Sequence, residues 1–332
     1  MRVARFAVFS SLLCLAGCGY VGPIMPPSPQ IPAQVTDLVA VQRGNKIEVS
    51  FRTPGRTTDG VAIKKFSEID LRIGPALVPF DFANWAETAK AFPINPPPPG
   101  DSFDPKPIPM ATSVSIEGLL GKHIAVAVRT AIKRGDHYSS WSNRVVLDVL
   151  PPLPAPTDVK VAASADGVVL DWTAIAAAES YRILRQGPAD KTLLEVGTAD
   201  PPHFVDTTSQ FDVPYSYEVV ALNKGAESPP SELLQITPID TFPPSVPTGV
   251  TALAGPESIE VSWQRSPEAD LAGYFVYRSA NGGDFERQGD MVTLPAFSDR
   301  NVEHGKTYRY QIGSVDKKAN ESAKSQTTEA AF

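Results

Sequence analysis

Cysteine is nearly absent from this chain of 332 residues: there are two, at positions 14 and 18. That leaves no disulfide framework, no thiolate pair and no Cys-ligated metal knot. Histidine is scarce too, with four residues (His123, His137, His203, His304) spread along the chain and none in a His-x-x-x-His spacing. A zinc site needs its ligands clustered, so none is expected. The net charge of −7 and pI near 5.2 lack a basic stripe that could displace counterions from phosphates, which argues against nucleic acid as a partner. Beyond the first residues no apolar run reaches 18, so no membrane-spanning helix is expected there. A Gly-x-Ser-x-Gly elbow, a phosphate-cradling P-loop and a dinucleotide fingerprint are all missing. Acidic residues are common, but pairs such as Asp166 with Asp171 or Glu268 with Asp270 sit in turns or on solvent faces, not on opposed cleft walls. The expectation is a protein with no catalytic site, no cofactor and no metal.

What is present begins at the N-terminus. Arg2 and Arg5 precede the apolar run "FAVFSSLLCLAG", which is of secretory-signal length and too short to span a bilayer comfortably. It ends in Leu15-Ala16-Gly17-Cys18, and this ending resembles the bacterial lipobox. The resemblance implies cleavage before Cys18, lipid on its thiol and acylation of the new amine. Several acyl chains anchor stably, since each buried methylene contributes about 0.8 kcal/mol. Gly19 after the cysteine implies, by the same resemblance, the outer membrane of a bacterial envelope. The start "CGYVGP" is also similar to short outer-membrane lipoproteins associated with lipopolysaccharide assembly. Cys14 would leave with the signal, so the mature chain would carry no free thiol.

Proline is abundant, 33 residues, and punctuates the rest. A spacer, "GYVGPIMPPSPQIPAQ", follows Cys18, and proline clusters return at 151–156 and 243–247. Each cluster ends in the same spacing: Pro32 to Val35, Pro156 to Val159, Pro247 to Val250. Three boundaries predict three repeats. The next strand of each alternates in period two: Ile47-Val49-Phe51, Val168-Leu170-Trp172 and Ile259-Val261-Trp263. A third strand follows at "IDLRI" (69–73), "YRILR" from Tyr181 and "YFVYR" from Tyr274. Near the end of each repeat come "KHIAVAVRT" (122–130), "YSYEVVALN" (215–223) and "TYRYQIGSVD" (307–316).

These residues resemble the fibronectin type III family. The likeness rests on the opening Pro-x-x-Val, the second-strand Trp172 and Trp263, the third-strand Tyr181 and Tyr274, the lead-in "SPEADLAGYFVYR", and the sixth-strand Tyr215 and Tyr308. It implies an all-β chain of three tandem immunoglobulin-like sandwiches, in which Tyr215 and Tyr308 pin the turn before the sixth strand. The expected organisation is a signal peptide (1–17), a lipidated Cys18 with a proline-rich linker (18–31), and domains at 32–150, 151–239 and 240–332. The first domain departs from the pattern. Phe51 replaces the tryptophan, Lys122 stands where the corner tyrosine is expected, and about 30 extra residues fall within 74–113. Inside that insertion "DFANWAETAKAF" predicts a short helix, N-capped by Asp81, with Phe82, Trp85, Ala86 and Ala89 on one face. In "SPEAD", Asp270 is expected to bond nearby backbone N–H groups.

Most aromatic residues fall on core positions of the resemblance. Trp85, Tyr138 and Trp141 do not, which makes Trp85 and Trp141 candidate contact residues. Arg134-Gly135-Asp136, in the loop before the last strand, spells the tripeptide that animal matrix proteins present to integrins. Gly-Asp is also an ordinary hairpin-turn choice. The leading expectation is a non-catalytic, lipid-anchored envelope protein serving as spacer, scaffold or protein-binding module. Its partners would be the membrane, through lipid, and an envelope protein or glycan. Alternatives are a carbohydrate or cell-wall binding module, an adhesin bearing Arg-Gly-Asp, or an accessory subunit of an enzyme.

Overall fold

The computed structural model describes residues 30–100, 104–133 and 135–332. The signal, Cys14, Cys18 and nearly all of the proline-rich linker lie outside the described residues. The chain divides into two compact units, Met1–Pro151 and Pro152–Phe332.

The first unit is a sandwich of two antiparallel sheets. In one, Val39–Arg43 pairs with Lys46–Thr53, which pairs with Ile108–Ser115. In the other, the order is Lys90–Ile94, Glu68–Pro75, His123–Lys133, with Val145–Asp148 and the short Asp136–Tyr138 both on His123–Lys133. Counting the seven main strands in chain order, the first, second and fifth make one sheet. The fourth, third, sixth and seventh make the other. Lys46–Thr53 alternates strictly, exposing every other residue and burying Ile47, Val49 and Phe51 against Leu71, Val126 and Val128. Period-two alternation directs one face of each sheet inward, and two such faces close a core.

The second unit repeats this order twice. Lys160–Ser164, Gly167–Asp171 and His203–Asp206 face Leu194–Ala199, Ser180–Gln186, Tyr215–Asn223 and Leu234–Ile236. Then Thr251–Ala254, Ile259–Ser262 and Ala296–Asp299 face Glu286–Arg287, Leu271–Ala280, Thr307–Asp316 and Thr328–Ala331. Each has its own core, with Trp172 edge-on to Tyr181 at 5.1 Å and Trp263 edge-on to Tyr274 at 5.2 Å. The chain is all-β, built of tandem fibronectin type III-like sandwiches, as the residue pattern predicts.

Corner bonds appear in both sandwiches of the second unit. The Gln210 N–H donates to the Tyr215 hydroxyl at 3.1 Å and the Glu303 N–H to the Tyr308 hydroxyl at 3.0 Å. In the first sandwich the register corrects the expected position. Ile69 pairs with Thr130 as Tyr181 pairs with Ala221 and Tyr274 with Ser314. Counting back by strand period places Ile124, not Lys122, at the corner tyrosine's place. Ile124 is fully buried and cannot bond a backbone amide, so this turn is held by backbone bonds such as Gly121 N–H to Val149 O at 2.8 Å.

The insertion also differs from the expected span. The helix is Phe82–Thr88, and its predicted continuation instead forms the strand Lys90–Ile94, paired with Glu68–Pro75. Backbone groups at a free sheet edge gain more from ladder bonds than from another half-turn of helix, and Phe92 and Ile94 pack against the core from there. The extra residues are therefore two connections, 76–89 and 95–107, and not one block.

A serine pattern ties all three sandwiches. Ser139 and Ser142, Ser228 and Ser231, Ser322 and Ser325 each accept a backbone N–H from the sixth strand at 2.9–3.1 Å. Each then donates its own proton to the carbonyl of the following residue. Ser-x-x-Ser stands in for ladder bonds where the seventh strand bends before pairing. The spacing is plain in the sequence and identifies the first sandwich as the same unit.

Candidate functional sites

The insertion helix is seated on the outer face of the first sandwich. Asp81 accepts from the N–H groups of Ala83 and Asn84 at 3.3 and 3.2 Å, the expected cap. Trp85 points inward and is 2% exposed, against Ala89, Ala125 and Ala127. Those two alanines of the sixth strand face away from the sandwich core and give the indole a flat seat. Gly74 leaves room as well, because a Cβ there would stand 2.8 Å from the Ala89 Cβ. Trp85 thus lies inside a packed cluster, and its face of the helix is the one facing the sheet.

Trp141 is half-buried at the border of this cluster, 5.6 Å from Trp85 edge-on and stacked on Phe82 at 6.1 Å. Around it runs a ladder of rings and cations. The Arg129 guanidinium lies 4.4 Å from the Trp141 ring and 4.0 Å from Tyr138, and Arg144 lies 4.2 Å from Phe80. Asp70, whose side chain is 4% exposed, accepts from Arg72 Nε and Arg129 Nε at 2.9 Å each. Arg72 also donates to the Ala86 carbonyl, which ties the helix to the sheet. Burial, then the bond to Glu68 at 2.7 Å, raises the Tyr138 phenol above its ordinary pKa. The last sandwich caps its outward rings in the same way, Arg287 at 3.5 Å over Phe275 and Lys324 at 3.6 Å over Tyr277. A ring covered by a cation does not offer its face to a sugar.

The second unit holds two buried ionic sets that motif reading missed. Asp206 accepts from the Tyr217 hydroxyl at 2.8 Å and from Arg185 at 2.7 Å. Asp299 accepts from the Tyr310 hydroxyl at 2.8 Å and from Arg278 at 3.0 Å. Tyr217 and Tyr310 are fully buried. Burial, then the adjacent carboxylate, pushes both phenols up. Burial alone would raise Asp206, but the bonds from Thr208, Tyr217 and Arg185 outweigh it and hold the carboxyl below its usual range. With its acceptors filled and its phenol held protonated, each set binds strands together and has no free acid or base to offer. The clue in the sequence is Arg185…Asp206…Tyr217 recurring as Arg278…Asp299…Tyr310.

In the Arg-Gly-Asp stretch, Lys133 pairs with Asp136. Arg134 lies outside the described residues. Gly135 has φ +73°, which a β-carbon disfavours. Asp136 is exposed, and its carboxylate accepts the His137 N–H at 2.7 Å. His123 and His203 make exposed pairs with Asp148 and Asp171, both at 2.7 Å.

Three carboxylates converge in the second unit: Asp240, Asp270 and Asp316, with oxygens within 4.8 Å of one another. Oxygen donors of this kind suit a hard cation and not zinc. Their visible bonds are structural: Asp316 accepts from the Asn320 amide and from the N–H groups of Lys318 and Asn320, each at 2.8 Å. In the "SPEAD" turn it is Glu268 that accepts a backbone N–H, from Ser245 at 2.8 Å, where Asp270 was expected to do so. The Asp270 carboxylate instead faces the other two.

No family model matches the chain. A stretch of 92 residues, 27% of this chain, is 40% identical to 7% of an amylopullulanase from Thermoanaerobacterium saccharolyticum. Another of 84 residues, 25% of the chain, is 37% identical to 4% of an amylopullulanase from Thermoanaerobacterium thermosulfurigenes. The chain therefore spans less than a tenth of the curated relatives it matches. Among solved structures, it is similar to the FN1–FN3 domains of chicken CNTN1, at 16% identity over 90% of this chain and 98% of that one, with TM-score 0.29. A two-domain fibronectin type III segment of chicken tenascin matches at 20% identity over 53% and 99%, with TM-score 0.36. The strand order, repeated three times, is what defines the fold.

Proposed function

We propose that this chain is a non-catalytic, lipid-anchored protein of the bacterial cell envelope, serving as a spacer, scaffold or protein-binding module. The observation that carries the reading is repetition: three sandwiches of one strand order, each with a buried serine pair that bonds its sixth strand. Serine pairs, corner tyrosines and Arg-Asp-Tyr sets all act within the fold, which suits a part whose task is to hold shape. The Cys18 sequence supplies the anchor in this reading, with attachment probed by Cys18→Ala. The expected result is movement from the membrane to the soluble fraction; a variant that stays membrane-bound would sink the lipoprotein assignment. Crosslinking of the whole envelope in living cells, followed by isolation of the chain, tests the scaffold role.

Glycan or cell-wall binding is the second reading, and the amylopullulanase stretch favours it. Against it stand the burial of Trp85 and the cations over Phe80, Tyr138, Trp141, Phe275 and Tyr277. A glycan array probed with the mature chain separates the two. Binding that is lost in Trp141→Ala would favour the second.

A further inference from the structure

A long sheet edge, guarded by proline only at its N-terminal end, stands out in the first sandwich. Strand Ile108–Ser115 pairs with Lys46–Thr53 along its whole length, Ile108 opposite Thr53 through Ser115 opposite Lys46. Among the described residues no strand pairs on its other side, and it ends its sheet. Its sequence, Ile-Pro-Met-Ala-Thr-Ser-Val-Ser, has no charge, and past Pro109 nothing in it blocks pairing. Natural edges are usually short, charged, proline-bearing or bulged, because a row of unpaired N–H and C=O groups templates another strand.

The corresponding edges of this protein follow that rule. The fifth strands of the other sandwiches have four residues and end in Asp206 and Asp299. Of the fourth strands, Lys90–Ile94 contains Pro93 and runs into four prolines at 96–99, and Glu286–Arg287 is two charged residues. Leu194–Ala199 carries Glu195, paired with Arg182. Of these six edges, Ile108–Ser115 is the longest and the one without charge or histidine.

We propose that this edge receives an extended strand from a partner protein, deepening the scaffold reading on which it rests. The unpaired backbone dictates an extended polypeptide, and antiparallel pairing is the stronger arrangement per residue. The edge strand itself is neutral and favours a neutral guest, since a charged guest residue would lose hydration with no counter-charge on the strand it pairs with. Side chains sharpen the choice. Ala111 and Ser113 are small and exposed, and beside them lies a shallow hollow of about 500 Å³ lined by Val39 and Val41 and, toward Ser113, by the Arg43–Glu48 ion pair. A bulky apolar side chain opposite Ala111 would reach into it. The guest is a segment uncharged for about six residues, with such a side chain near its centre.

The test is hydrogen exchange by mass spectrometry on the full chain in detergent, following peptides that cover 108–115. The probes are a capped eight-residue peptide of alternating threonine and valine, and a counterpart with two valines replaced by lysine. Roughly tenfold slower exchange with the neutral peptide, absent with the lysine peptide and absent in Ala111→Lys/Ser113→Lys, supports the proposal. The double variant adds charge only at exposed positions, and its thermal midpoint serves as the folding control. If this segment is already fully protected without peptide, or neither probe slows it, the proposal is overturned. Sedimentation showing a dimer that the double variant abolishes would make a second copy the occupant, and would equally overturn it. A photo-crosslinker at position 113 that stays silent in cells, while whole-envelope crosslinking captures a partner, would remove the edge and leave the scaffold role standing.

Discussion

The Tyr217 hydroxyl donates to Asp206 at 2.8 Å, and eleven residues likewise separate Tyr310 from the Asp299 it bonds at the same distance. In each pair an arginine from the third strand, Arg185 or Arg278, completes the set and joins both sheets of the sandwich. Asp206→Asn leaves Arg185 without its counter-charge, and should destabilise the second sandwich by about 2–4 kcal/mol. Tyr217→Phe removes one bond and should cost less, about 1–2 kcal/mol. Urea unfolding followed by fluorescence checks both. A double variant no worse than Asp206→Asn alone would show that the two act as one set.

Acid should find the same set. The folded-state pKa of Asp206 is depressed, so its stabilisation is fully present above the unfolded value, near 3.9, and is lost as pH falls through the folded one. Stability of the second sandwich should therefore be flat in this group's contribution above about pH 5 and fall below about pH 4. Unfolding free energies across pH 3–7 should show a shallower acid slope for Asp206→Asn than for the parent chain.

Ser142→Ala should free the Val128 N–H in the interior of the first sandwich, at a cost of about 1–3 kcal/mol. The exposed neighbour Ser140→Ala should stay within about 0.5 kcal/mol. Exchange of the Val128 amide, read by NMR, should quicken only in the first variant.

Trp85→Ala should loosen the insertion helix, with a cost of about 3 kcal/mol for a buried large ring. Near-ultraviolet circular dichroism should change as Trp85 no longer meets Trp141. Thermal unfolding should shift for the first unit and leave the second where it was. If both units shift together, the helix has a role beyond covering its own sheet.

Most of the scaffold was legible from period-two alternation and recurrent proline, since strands with one buried face must alternate. The corner tyrosines were legible because their spacing repeats. The first sandwich misled at its sixth strand: "KHIAVAVRT" has no tyrosine to set the register, and only pairing with Glu68–Pro75 fixes Ile124 at the corner. The predicted helix ran too long because residues 89–92 suit either state locally, and an open edge decided between them. Ser-x-x-Ser is written in the sequence, but serine in a loop suggests solvent, and only the pairing shows that it substitutes for ladder bonds.

By itself the sequence determined the strand pattern, the number of repeats, the cap at Asp81 and the core positions of Trp172 and Trp263. These depend on short-range alternation and on residue types that tolerate few environments. Only the tertiary structure decided that Trp85 faces the sheet, that cations cover the outward rings, and that Ile108–Ser115 ends its sheet with one side unpaired among the described residues. Those outcomes depend on which residues distant in the chain meet across a sheet, and neither periodicity nor composition carries that information.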